Sequence, residues 1–136
     1  MSRVRVLVGT HKGAFILTSD GKRDRWDLGG PLFAGAEISH VVGSPVNPNR
    51  VYATLLDRKA GPVFFRSDTG GMSWDQIGGA TVPVRHLEPS LGDPETVYAL
   101  DDNHALFRSA DGGETWNELG ALRRELAGAA TISCVV

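Results

Sequence analysis

Cysteine is nearly absent from this chain. Cys134 is the only one in 136 residues, so no internal disulfide can form. That suits a reducing compartment, and the expected location is the cytoplasm. Long apolar runs are missing too: Val6-Leu7-Val8 is far shorter than a signal-peptide core. No segment approaches the ~20 apolar residues of a membrane helix, so no membrane partner is expected. Charge of one sign is not in excess either. The net charge is −2, which gives no electrostatic reason to expect nucleic acid. The clusters Lys22-Arg23-Asp24-Arg25 and Arg123-Arg124-Glu125 are mixed or short and read as solvated surface. There is no G-x-S-x-G, Walker loop, H-E-x-x-H or dinucleotide fingerprint, and no cofactor is expected.

What the chain does have is repetition. Its 17 glycines fall at regular places, and 41% hydrophobic against 22% charged residues suits one ordinary core. Residues 38–53, ISHVVGSPVNPNRVYA, align with 84–99, VRHLEPSLGDPETVYA, at an offset of 46. His40 then falls on His86, Ser44 on Ser90, Pro48 on Pro94, and Val51-Tyr52-Ala53 on Val97-Tyr98-Ala99. Residues 65–78, FRSDTGGMSWDQIG, match 107–120, FRSADGGETWNELG, at an offset of 42, so one intervening loop is shorter in the second copy. A worn third copy opens the chain. At an offset of 91, Val6-Leu7-Val8 overlies Val97-Tyr98-Ala99, and Thr18, Asp20 and Gly21 overlie Ser109, Asp111 and Gly112, with Trp26 one residue late. The last five residues, Ile132-Ser133-Cys134-Val135-Val136, repeat Ile38-Ser39-His40-Val41-Val42 almost letter for letter.

A repeat of this length points to propeller blades or helical solenoids. VYATLL, VYALD, PVFFRS and ALFRS choose strands: they are short, rich in β-branched and aromatic residues, and bounded by turn formers. Pro45, Pro48, Pro62, Pro83, Pro89 and Pro94 would interrupt most helices. The one helical turn expected is Ala121 to Ala127. Four strands per repeat fall near 38–43, 51–56, 62–67 and 74–77, then 84–88, 96–100, 104–109 and 116–119. His11-Lys12-Gly13 and Asp101-Asp102-Asn103-His104 read as solvated hairpin loops. The expected fold is all-β, with blades of four antiparallel strands.

Ser109-Ala110-Asp111-Gly112-Gly113-Glu114-Thr115-Trp116 fits S-x-D-x-G-x-T-W. Here the chain resembles the Asp-box, or bacterial neuraminidase repeat, family found in sialidases and sortilin-type receptors. The residues explain the motif. Ser and Asp side chains hold a turn closed by bonding backbone N–H groups, glycine permits positive φ, and Trp plugs neighbouring sheets. The structural set is thus Ser67, Asp68, Gly71 and Trp74, then Ser109, Asp111, Gly113, Thr115 and Trp116. The first of these turns departs from the pattern: Thr69 stands at the Asp position, Asp68 sits one place early, and Ser73 replaces Thr. The resemblance puts such turns on the outer hairpin, away from the ligand face.

It also implies that the first strand of each blade faces a central channel. Those strands would be ISHVVG, VRHLEP and ISCVV, placing His40, His86 and Cys134 at equivalent positions. His and Cys can ligate zinc or copper. The plainer reading packs them between blades, and no metal is assigned. Strict alternation puts Val84, His86 and Glu88 on one face and Arg85 with Leu87 on the other. His40, Arg85, His86 and Glu88 are the candidate ligand contacts. No catalytic residue is nominated, because the Arg-Ile-Pro motif of sialidases is absent and no carboxylate pair stands out. The expected function is a non-enzymatic module binding a protein or small ligand. The alternative is the N-terminal part of a sialidase-type glycoside hydrolase.

Strand counting gives one partial propeller domain over 1–136. Blade 1 covers about 4–30, blade 2 about 36–79, blade 3 about 82–120, and the first strand of a further blade about 130–136. That is three blades' worth, whereas closed propellers have about 4–8. The chain is expected to be a fragment of a longer propeller. Otherwise two copies form a homodimer completing a six-bladed ring.

Overall fold

The computed structural model describes residues 4–57, 59, 61–77, 84–101 and 105–119, with the side chain of Arg85 excepted. The expected helical turn at 121–127, the strand at 130–136 with Cys134, and Asp102 to His104 lie outside the described residues. Within them every regular element is a strand. Sheet 1 comprises β1 (Val4–Thr10), β2 (Gly13–Ser19) and β3 (Trp26–Leu32). Sheet 2 comprises β4 (Glu37–Gly43), β5 (Val51–Asp57), β6 (Gly61–Ser67) and β7 (Asp75–Ile77). Sheet 3 comprises β8 (Val84–Pro89), β9 (Val97–Asp101), β10 (Leu106–Ser109) and β11 (Asn117–Glu118). Each sheet is an antiparallel meander in chain order. The strand β4 touches both β1 and β8, so sheet 2 lies between the other two.

Burial follows from the two-residue period of a strand covered on both faces. In β5, Val51 to Leu55 are all 4% exposed or less. Leu55 points to sheet 1, joining Ala14, Ile38, Phe33, Val63 and Phe65. Tyr52 points to sheet 3, joining Phe64, Val84, Leu87, Val97, Ala99 and Trp116. Fully burying one such side chain contributes about 1.5–3 kcal/mol. A single turn hydrogen bond contributes about 1 kcal/mol. The two inter-sheet cores therefore hold the structure, and the turns set its register.

Bulges in the first strands of sheets 2 and 3 alter the expected alternation. In β8, Val84 pairs with Asp101 and His86 with Leu100, leaving Arg85 as the extra residue. In β4, Ile38 pairs with Leu55 and His40 with Thr54, leaving Ser39 extra. Val84 consequently joins Leu87 in the core instead of sharing a face with His86 and Glu88. The inserted residue shifts the pleat by one. His86 and Glu88 do remain on one side.

The ladder also re-registers the first copy. Val4 pairs with Ser19 as Val51 pairs with Ser67 and Val97 with Ser109. Ser19, not Thr18, is therefore the counterpart of Ser109, and all three serines are buried. Trp26 then follows its serine at the same distance as Trp74 and Trp116, so it is not displaced. Gly21 takes the Asp place, and this turn closes differently: Ser19 Oγ donates to Arg25 O, and Asp20 Oδ1 accepts from the N–H groups of Lys22 and Arg23.

The other two turns share one design. Ser109 Oγ accepts from Gly113 N at 2.9 Å and donates to Asp111 Oδ1 at 2.8 Å. Asp111 in turn accepts from Thr115 N at 2.9 Å and from Thr115 Oγ1. Trp116 Nε1 donates to Gly113 O at 2.9 Å, and the indole stacks on Phe64 with centroids 5.4 Å apart. In sheet 2, Ser67 Oγ accepts from Gly71 N at 2.8 Å, and Trp74 Nε1 donates to Gly71 O at 3.0 Å. Thr69 Oγ1 accepts from Ser73 N at 2.8 Å. The role assigned to Asp68 thus falls to Thr69. Asp68 points elsewhere.

Candidate functional site

The first strands of sheets 2 and 3 run side by side, and their bulges bring His40 and His86 together. The ring centroids are 4.8 Å apart at 51°. His86 Nε2 lies 3.1 Å from Glu88 Oε2, two residues along the same strand. All three side chains are partly exposed. Burial pulls the His40 pKa below its ordinary 6.5, and the neighbouring His86 charge pulls it further. A hydrogen bond with the Leu87 backbone and the Glu88 carboxylate oppose that shift. The result favours a neutral imidazole at His40 beside a His–carboxylate pair. Such a surface offers ring N–H donors, ring N acceptors and one carboxylate within a few ångströms. Thr54, opposite His40 in the ladder, is buried with no hydrogen-bond partner at Oγ1.

The sequence reading of His40, His86 and Glu88 as neighbours rests on the repeat, and the geometry does place them together. Arg85 is the bulge residue of β8, and Cys134 lies outside the described residues. Among the described residues no three His, Cys, Asp or Glu side chains are grouped to hold a metal ion. Of the turn residues, Asp111 has its carboxylate occupied by Ser109 and Thr115. Those bonds, the one from Thr115 Oγ1 first, hold its pKa down to about 2.

A second polar cluster went unread. Arg50 is only 7% exposed, at the seam of sheets 2 and 3. Its Nε donates to Asp68 Oδ1, Nη1 to Tyr52 Oη at 3.1 Å and Pro94 O at 3.2 Å, and Nη2 to Glu95 Oε1 at 3.0 Å. Burial works against its charge, but the bonds to Tyr52, Glu95 and Asp68 outweigh that and raise its pKa. Arg66 Nη1 donates to Gly112 O at 3.0 Å, and its Nε makes a 3.4 Å charge contact with Asp68. Arg5 bridges sheets 1 and 2 likewise, donating to Pro48 O at 2.6 Å and Gly70 O at 3.2 Å. These arginines fasten each sheet to the next. The available signal was the repeated Phe-Arg-Ser, where Arg66 and Arg108 recur.

Meandering sheets stacked face to face, with their first strands adjacent, define a class: the chain is a set of β-propeller blades. Solved structures agree. One described as "YCF48 bound to D1 peptide" matches 87% of the chain with a TM-score of 0.63 and 18% identity. A GH74 xyloglucanase from Xanthomonas campestris matches 82% with a TM-score of 0.62 and 15% identity. An ancestral GH74 enzyme matches 85% with a TM-score of 0.60 and 21% identity. The chain spans 37%, 20% and 18% of those proteins respectively. At such identities the likeness is one of fold. No protein-family model matches the chain, and no curated protein matches it by sequence.

Proposed function

We propose that this chain belongs to a non-enzymatic propeller module that binds a protein or small ligand over the first strands of its blades, with His40, His86 and Glu88 as contacts. The observation that carries it is the His40–His86–Glu88 cluster, a concentration of polar, partly exposed groups where two blades meet. The Asp-box turns are part of the same reading. Their hydrogen bonds are directed inward at their own backbone, so they serve folding and leave recognition to the inner strands. The YCF48 structure bound to a D1 peptide supports a peptide as the ligand class to try first.

Panning a phage-displayed peptide library against the immobilised chain tests this. Recovery on the wild type should exceed that on a His86→Ala/Glu88→Gln chain by at least about tenfold, the scale of losing one charge-assisted contact worth ~1.4 kcal/mol. Equal recovery on both, with circular dichroism unchanged, would refute the reading.

The two GH74 neighbours favour one alternative, a glycoside hydrolase of which this chain forms one part. Such chemistry needs two carboxylates about 5–9.5 Å apart across the scissile bond. Glu88 supplies one candidate at the blade junction. Turnover of a fluorogenic sialoside or of xyloglucan oligosaccharide, abolished by Glu88→Gln, would establish the hydrolase instead.

A further inference from the structure

One irregularity, used twice, brings the two histidines together. Ser39 in β4 and Arg85 in β8 are bulge residues, and each directly precedes a histidine. The two rings meet where β4 and β8 run side by side. Their centroids are 4.8 Å apart and their planes cross at 51°, so they are not stacked in parallel. A metal–nitrogen bond is about 2.0–2.1 Å long. Two imidazoles sharing one ion at an N–metal–N angle of about 90–110° therefore hold their centroids about 4.5–5.2 Å apart. His40 and His86 already stand at that spacing, and neither strand has to move for both rings to reach one ion.

One nitrogen of each ring is committed. His86 Nε2 lies 3.1 Å from Glu88 Oε2, and His40 hydrogen-bonds with the Leu87 backbone. A neutral imidazole donates through one nitrogen and keeps a lone pair on the other. Donation of that N–H to a carboxylate or a backbone carbonyl is what orients metal-binding histidines and raises their basicity. Glu88 is placed to do this for His86, and its charge favours a cation at the pair. The His86 and Glu88 side chains are 20% and 32% exposed, so an ion can enter from solvent. Thr54, the ladder partner of His40, projects from the same side of sheet 2. Its buried hydroxyl has no hydrogen-bond partner and suits a metal-bound water.

We infer that His40 and His86 form a two-imidazole site for a late first-row divalent cation, zinc or copper(II), which clips sheet 2 to sheet 3. Nitrogen donors suit these ions, whereas magnesium and calcium demand oxygen. Among the described residues no third His, Cys, Asp or Glu completes a ligand set. Structural zinc sites close with four protein ligands and catalytic ones use three. Two leave positions open for water, or for a carboxylate or imidazole of a bound molecule, so the ion is exchangeable. The inference uses the same cluster as the binding reading but does not rest on it, because the ion needs no peptide.

Isothermal titration of the metal-free chain with zinc alone tests it. The wild type should bind one equivalent at this site. His40→Ala and His86→Ala should each weaken that binding at least about tenfold, and the double variant should lose little more than either, because a chelate is gone with its first arm. Glu88→Gln should weaken it by about tenfold without abolishing it, as expected of a group acting through His86. By NMR the ring protons of His40 and His86 should shift together during the first equivalent, ahead of those of His11. Circular dichroism checks that the variants keep their strands, and the wild-type titration needs no variant. A wild type that binds no zinc would overturn the inference. So would single variants that bind as the wild type does, or losses at the two histidines that simply add.

Discussion

Neutralising both partners of Arg50, by Asp68→Asn with Glu95→Gln, should destabilise the protein by more than the two single changes added together. The Arg50 side chain is 8% exposed, whereas the Asp68 and Glu95 side chains are 47% and 48% exposed. The carboxylates are thus half-solvated and rehydrate when released, so either ion pair alone is worth little, about 0.5–1 kcal/mol after solvent screening. With one removed, the other still neutralises the arginine. With both removed, a cation stays buried at the sheet 2–sheet 3 seam with only neutral acceptors, Tyr52 Oη and Pro94 O among them. Leaving a buried charge unpaired costs about 3–5 kcal/mol. The new Asn and Gln oxygens can still accept hydrogen bonds, which brings the expected loss down to about 2–3 kcal/mol.

A coupling of about 1 kcal/mol therefore separates the double variant from additivity. Urea unfolding followed by tryptophan fluorescence, at one fixed protein concentration, resolves it. With a slope of about 1–3 kcal/mol/M, the coupling moves the midpoint by about 0.3–1 M. A further variant checks the sign. Arg50→Met should destabilise the wild type yet restore stability in the double background, because there it removes the uncompensated charge. Additivity within about 0.5 kcal/mol, or Arg50→Met destabilising both backgrounds equally, would refute the argument.

Four other outcomes are expected. Gly113 has φ 90°, and a Cβ there would sit 2.6 Å from Ile77 Cδ1, so Gly113→Ala should cost about 1–3 kcal/mol in thermal unfolding. Gly92→Ala, with open space around it, should stay within about 0.5 kcal/mol. Because the folded pKa of Asp111, about 2, lies below its unfolded value, its stabilisation is present above pH ~4 and is lost as pH falls toward 2; Asp111→Ala should flatten urea midpoints over that range. His40 has a folded pKa below 6.5, so folding disfavours its protonation and stability falls as pH drops through 6.5. An NMR titration of its ring protons with a midpoint at or above 6.5 would contradict this.

The strands, their four-fold grouping and the turn chemistry were legible because each is written locally. VYA marks the covered strand, Ser and Gly mark the turn, and the spacing repeats. The bulges at Ser39 and Arg85 were not, since an extra residue is defined only against the partner strand, and a single strand read alone implies unbroken alternation. The first copy slipped by one or two residues for the same reason: Thr18 and Ser19 are equally good letters, and only pairing with Val4 chooses between them. His40, His86 and Glu88 could be nominated because the repeat itself equates two of them.

Arg50 was invisible on other grounds. An arginine before a strand reads as solvated, and its acceptors at Tyr52, Asp68, Pro94 and Glu95 are dispersed along the sequence. Asp68 shows the consequence most plainly. One residue out of place, it reads as a worn turn lock. Thr69 needs only a hydroxyl to close that turn, which leaves Asp68 free to bind two arginines at the sheet junction. A departure from a repeat is thus informative when another residue already performs the motif's task. The displaced side chain then belongs to the contact between repeats, and the next sheet decides where it points.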